Sequence, residues 1–205
     1  MKTTSLDLFP THVKIFDFED DPALNSALLD VARNRPELNS SLSGVSVLGL
    51  DEPWVPRLRA RYDAGVRAYL AETMPARTDH EVDAYVFFNY TNKTSFTPVH
   101  DHLIEADLVA IYYAHAPARE EHHDTSYYAM DDGVLVLHDP RIDTRIDRRG
   151  RDHFRIYPRT NRLVVHPACL RHSVTPNAEV ERLAVTCMFA VNRRELFEGY
   201  KNYKL

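Results

Sequence analysis

Two histidines bracket an aspartate in "TPVHDHLIEADLVAIYYAH" (97–115), just ahead of a run of β-branched and aromatic residues. His100 and His102 are two positions apart, so on an extended strand both imidazoles leave one face while Asp101 leaves the other. Two imidazoles on one face can ligate a single ion. The chain carries 11 histidines in 205 residues, so an H-x-H spacing alone fits ordinary surface polarity as well. A second group of candidates lies downstream, in "HPACLRHSVTPNAEVERLAVTCMFAVN" (166–192). There His172 opens a strand-like run, Pro176-Asn177 marks a turn, and Arg182 starts a long final strand. If the strands bearing His172 and Arg182 are hairpin neighbours, the two side chains meet in one pocket. Such a pair can hold a metal-chelating 2-oxo acid. The ion takes the keto and near carboxylate oxygens, and the guanidinium grips the far carboxylate.

Positioning these groups requires a β-rich second half. "VDAYVFFNY" (82–90), "DLVAIYYAHA" (107–116), "GVLVLHDP" (133–140), "NRLVVHP" (161–167), "RHSVTP" (171–176) and "ERLAVTCMFAVNR" (181–193) read as strands bounded by Gly, Pro, Asn and Asp. The first part reads as two amphipathic helices, over 20–37 and 56–75. Leu24, Leu28, Leu29 and Ala32 share one face of the first, and Leu58, Tyr62, Val66, Tyr69 and Leu70 one face of the second. The expectation is an α+β, mainly β fold of one domain over residues 1–205. A mostly helical part spans 1–80, packed outside a jelly-roll or cupin-like core at 81–193, with a tail at 194–205.

Composition narrows the partners. A 23.7 kDa chain with 44% hydrophobic and 27% charged residues is that of a soluble globular domain. Its net charge of -5 argues against a nucleic-acid binder. The arginine-rich "RIDTRIDRRGRDHFR" (141–155) is interleaved with Asp143, Asp147 and Asp152 and reads as a solvated loop, or alternatively as a lid facing substrate. The longest clean apolar run, Leu108 to Ala114, is too short for a membrane span, and "MKTTSLDLFP" lacks the apolar core of a signal peptide. Cys169 and Cys187 form no disulfide framework and read as free buried thiols, so the expected compartment is the cytoplasm.

Taken in order, His100-x-His102, Ile111-Tyr112-Tyr113, Asp139-Pro140-Arg141, His166-Pro167…Leu170-x-His172-x-Val174-x-Pro176-Asn177, Glu181-Arg182 and Phe189…Asn192 form a pattern over about residues 83–193. The pattern resembles the 2-oxoglutarate/Fe(II)-dependent dioxygenases, in particular the small bacterial oxygenases of double-stranded β-helix fold. The resemblance implies Fe(II), 2-oxoglutarate and O₂ as cofactor and co-substrates, His100 and His172 as iron ligands, and Arg182 as the anchor of the distal carboxylate. It implies hydroxylation as the commonest outcome, and the small size of the chain favours a small molecule such as an amino acid or a biosynthetic intermediate as substrate. Non-haem Fe(II) suits such a set, which leaves open positions for co-substrate and O₂.

The chain departs from this family at the third ligand, where H-x-D or H-x-E is usual. His102 ranks first, Asp101 second, and Glu105 or Asp107 behind them. With no third ligand the site would resemble the superfamily's halogenases. Tyr112 and Tyr113 face opposite ways, and Tyr112 is the candidate phenol for the co-substrate carboxylate, core packing being the other role. Asn89 either binds the co-substrate or begins the turn "NYTNKT", and Arg141 either meets substrate or pairs with an aspartate. His138 and His166 read as satisfied strand-end histidines, His122 and His123 as solvent-exposed. Two rivals remain: a cupin-type metalloenzyme that uses no 2-oxoglutarate, built on His100-x-His102, Glu105, His172 and Asn177, and a barrel module that performs no chemistry. A homodimer through "ELFEGYKNYKL" (195–205) is a further expectation.

Overall fold

Strand alternation in the second half builds two antiparallel sheets that face each other. The computed structural model describes residues 11–92, 94–117, 133–139, 153–177, 180–192 and 203–204. The strands are β1 (Lys14–Asp17), β2 (Val82–Thr91), β3 (Ser95–His100), β4 (Leu108–His115), β5 (Leu135–His138), β6 (His153–Ile156), β7 (Arg162–Pro167), β8 (His172–Asn177), β9 (Arg182–Val191) and β10 (Tyr203–Lys204). The larger sheet has the order β1-β7-β4-β9-β2-β10 and the smaller β3-β8-β5-β6, a mainly β sandwich.

Side-chain parity divides the larger sheet's two faces. Val109, Ile111 and Tyr113 of β4 pack inward, with Tyr85 and Phe87 of β2, Val164 of β7 and Ala184 of β9. They meet Leu135, Leu137 and Ile156 of the smaller sheet. Ala110, Tyr112, Val165, Val185 and Phe189 pack outward against the helices. Helix α1 (Pro22–Asn34) begins where the Asp21 carboxylate accepts the Leu24 N–H at 3.1 Å, with Pro22 in its first turn, and it buries Leu24, Leu28 and Ala32. Helix α2 (Val55–Thr73) buries Leu58, Tyr62, Val66, Tyr69 and Leu70. It lies so close to β7 that a Cβ on Gly65 would fall 2.4 Å from Leu163 Cδ2. Tyr62 ties it to the sheet by donating to the Val185 carbonyl at 2.7 Å.

β1, β6 and the pair β8 and β9 depart from the sequence expectation. β1 is four residues of half-buried character that join the sheet by pairing with β7, where the Arg162 guanidinium grips both carboxylate oxygens of Asp17 at 2.8 and 3.0 Å. β6 takes the end of the arginine-rich stretch, 153–155, out of the expected loop and pairs it with β5; the rest of that stretch and Arg141 lie outside the described residues. β8 and β9 are not hairpin neighbours. β8 pairs with β3 and β5 in the smaller sheet and β9 with β2 and β4 in the larger, so His172 and Arg182 face each other across the interior. No helix among the described residues is long and apolar enough to cross a membrane.

Candidate metal centre

Where β3 meets β8, His100 stands opposite His172 in register. β3 ends at His100, so strand parity does not aim His102. A turn does: the His102 N–H donates to the Ala168 carbonyl at 2.9 Å, and the His102 carbonyl accepts from Glu105 and Ala106 at 3.0 and 2.9 Å. The outcome is a cluster in which one ligand atom from each of His100, His102 and His172 lies within 4.8 Å of the others.

All three rings are oriented by a bond at Nδ1. That atom lies 2.9 Å from the Pro98 carbonyl in His100, 3.0 Å from the Leu170 carbonyl in His172 and 2.7 Å from Glu105 Oε2 in His102. A carbonyl or carboxylate oxygen only accepts, so Nδ1 carries the proton and Nε2 presents its lone pair. This is how metal-binding imidazoles are held in one tautomer. Burial pushes the His172 pKa down to about 2, with His166 adding to the shift, so its ring is neutral near pH 7.

His166 packs beside His172, outside the cluster itself, and is not the fully satisfied histidine expected. It shares the inward row of β7 with Val164, is fully buried, and its ring centroid lies 4.9 Å from that of His172. Its Nδ1 donates to the Pro167 carbonyl at 2.9 Å, and its Nε2 is buried without a partner. Burial lowers its pKa to about 4. Parity with Val164 was the sequence signal that pointed inward. His138, by contrast, is satisfied through Nε2 and Ser173 Oγ at 3.0 Å. His122 and His123 lie outside the described residues.

The cluster forms one wall of a cavity of about 260 Å³, with Arg182, Asn89 and Tyr113 on other walls and Phe87, Ile111 and Val174 supplying apolar surface. Arg182 is 5% exposed, forms no ion pair among the described residues, and its Nε is buried without a hydrogen-bond partner. Burial lowers its pKa, opposed by the neighbouring Tyr113 phenol. A buried guanidinium of this kind is costly unless an anion meets it. Gly133 makes room for it. Its φ is +67°, and a Cβ there would sit 3.0 Å from Asn177 Oδ1 and 3.3 Å from Arg182 Cδ.

The remaining candidates separate by position. Tyr112 does not reach the cavity. It faces the helices, its single phenol proton shared between the amide oxygens of Asn25 and Asn161 at 2.8 and 2.9 Å, and Tyr113 lines the cavity instead. Alternation explains the exchange, because Tyr113 shares the parity of Val109 and Ile111. Asp101 lines the cavity but sits outside the histidine cluster, and its carboxylate accepts from the Leu103 N–H at 3.2 Å. Asp107 accepts from the Val191 N–H at 2.9 Å. The donor set, three imidazole nitrogens in one cavity with a guanidinium that forms no ion pair among the described residues, fits a divalent ion carrying an anionic chelate.

No family model and no curated protein sequence matches the chain. Several solved structures do. A Pseudomonas putida prolyl-4-hydroxylase is similar at 18% identity, over 90% of this chain and 89% of that one, with a TM-score of 0.60. The non-haem epimerase SnoN from nogalamycin biosynthesis, in complex with Fe³⁺, alpha ketoglutarate and nogalamycin RO, is similar at 14% identity. That likeness covers 92% of this chain and 83% of that one, with a TM-score of 0.59. HygX from Streptomyces hygroscopicus, with nickel and 2-oxoglutarate bound, is similar at 11% identity over 88% and 82%, with a TM-score of 0.55. At such identities the likeness is one of fold.

Proposed function

We propose that the protein is a non-haem Fe(II)- and 2-oxoglutarate-dependent dioxygenase that hydroxylates a small molecule. The observation that carries this reading is the convergence of His100, His102 and His172 in one cavity with a buried, unpaired Arg182. The similar folds support it, since SnoN and HygX are described with a metal ion and the same 2-oxo acid. The core is then a double-stranded β-helix. From β2 to β9 each successive strand changes sheet except at the β5–β6 hairpin, with β2, β4, β7 and β9 in the larger sheet and β3, β5, β6 and β8 in the smaller. The chain is a single domain on this reading, and its two free cysteines, Cys187 buried and Cys169 exposed where burial was expected, fit a reducing cytoplasm.

The three Nε2 atoms would hold the iron, and Arg182 would take the far carboxylate of 2-oxoglutarate in a bidentate grip. Iron with 2-oxoglutarate and O₂ supplies the oxidising power through oxidative decarboxylation of the 2-oxo acid to succinate. The chain's own part is positional. Tyr113, in place of Tyr112, can donate its phenol proton to a co-substrate oxygen, and the Asn89 amide can do the same from β2. Phe87, Ile111 and Val174 keep water from the reacting end. Arg141 keeps its proposed role toward the primary substrate.

Anaerobic titration with Fe(II) and 2-oxoglutarate tests this by the weak visible metal-to-ligand charge-transfer band. The band is expected in the wild type and is expected to be lost in Arg182→Ala and His172→Ala. No band in the wild type, or an unchanged band in both variants, sinks the proposal. A second reading rests on the cluster holding three histidines and no carboxylate: a cupin-type metalloenzyme that ignores 2-oxoglutarate. Fe(II)-dependent formation of succinate separates the two.

A further inference from the structure

We infer that Glu105 is a positioning residue that brings the centre's negative charge to the metal through His102, without ligating it. The inference rests on the proposal that the three histidines hold a metal ion. His100 and His172 both donate Nδ1–H to backbone carbonyls, which are neutral acceptors. His102 alone among the three donates to a carboxylate, Glu105 Oε2, at 2.7 Å. The pair is built in by the backbone: the turn that closes Glu105 N–H on the His102 carbonyl at 3.0 Å sets the two side chains three residues apart on one side. No lysine or arginine among the described residues pairs with Glu105, so its charge is directed at the imidazole.

A charge ledger gives the pair its purpose. A facial set with one direct carboxylate leaves a divalent ion with a net single positive charge, whereas three neutral imidazoles leave both charges in place. Arg182 adds a further cation to the same cavity. A carboxylate on the far side of one imidazole makes that ring a stronger donor and offsets part of the excess. The carboxylate missing from the position two after His100 is thus present one bond further out. Glu105, at 42% side-chain exposure, replaces it from the rim.

Co(II) alone, titrated into the full chain against a competing chelator and followed by its d–d absorption, tests the assignment. Glu105→Gln keeps the size and an accepting oxygen but not the charge. It is expected to weaken Co(II) binding by about 10- to 100-fold, with the band intensity and the metal-free melting temperature unchanged. In a His102→Asp background, where the first carboxylate is direct, Glu105→Gln is expected to cost nothing. Equal Co(II) affinity in the wild type and Glu105→Gln overturns the inference. So does an equal loss in the His102→Asp background, or a changed band intensity in Glu105→Gln itself, since either marks Glu105 as a ligand. A wild type that binds no Co(II), or binds it as well in His172→Ala, removes the metal site and this inference together.

Discussion

His166 carries a consequence for acid stability. Its pKa is about 4 in the fold against 6.5 when unfolded, and His172 is pushed lower still, both by burial. Between pH 6.5 and 4 the unfolded chain binds the extra protons, so the metal-free protein keeps its full stability above pH 6.5 and loses it as pH falls. Each group costs up to about 1.4 kcal/mol per pH unit in that window. His166→Phe removes one titrating group and one buried lone pair without a partner. We expect it to be within about 1 kcal/mol of wild type at pH 7.5 and to flatten the acid limb, as measured by urea denaturation between pH 7.5 and 4.5. An equally steep limb counts against this account. His100, His102, His172 and Arg182 could be singled out by residue type and order in the chain, although neither the strand parity expected for His102 nor the hairpin expected for Arg182 is what brings them to one cavity. Tyr113 and His166 were legible only through parity, which a short strand shows weakly when both faces are buried.

At the scale of elements, α2 packs on β7 through the gap left by Gly65. Gly65→Val fills that gap against a fully buried Leu163 and is expected to destabilise by about 1–3 kcal/mol, read as a lower denaturant midpoint with unchanged m-value. The helices and long strands could be seen in the sequence because their apolar periods differ, 3.6 against 2. β1 and β6 could not. "KIFD" and "HFRI" are four residues each, half-exposed at sheet edges, and gain their order from pairing with β7 and β5. His102 shows the same limit, since the residue falls in the cluster through a turn held by Ala168 rather than through the expected strand.

At the scale of the molecule, local sequence separates β8 from β9 by few residues, which suits a hairpin, yet each strand belongs to a different sheet. Long-range pairing decided this: β8 joins β3 and β9 joins β2 and β4. On the proposed function, Fe(II) and 2-oxoglutarate bind only the assembled sandwich. Each is therefore expected to raise stability, by about 2.7 kcal/mol at a hundredfold excess over its Kd, seen as an upward shift of the melting temperature under anaerobic conditions. His172→Ala should abolish the iron-dependent part.

The histidines sit at the edge of the smaller sheet and Arg182 on the larger, with the cavity between them. On the proposed function, a 2-oxo acid chelated at one end and clamped at the other has a fixed length, so it would work as a caliper across the sandwich. Iron held by β3, β8 and the turn after β3 would be blind to that gap, while the co-substrate would measure it. Remote changes in core volume that widen or narrow the gap will thus register as altered 2-oxoglutarate affinity in a protein whose iron affinity has not moved.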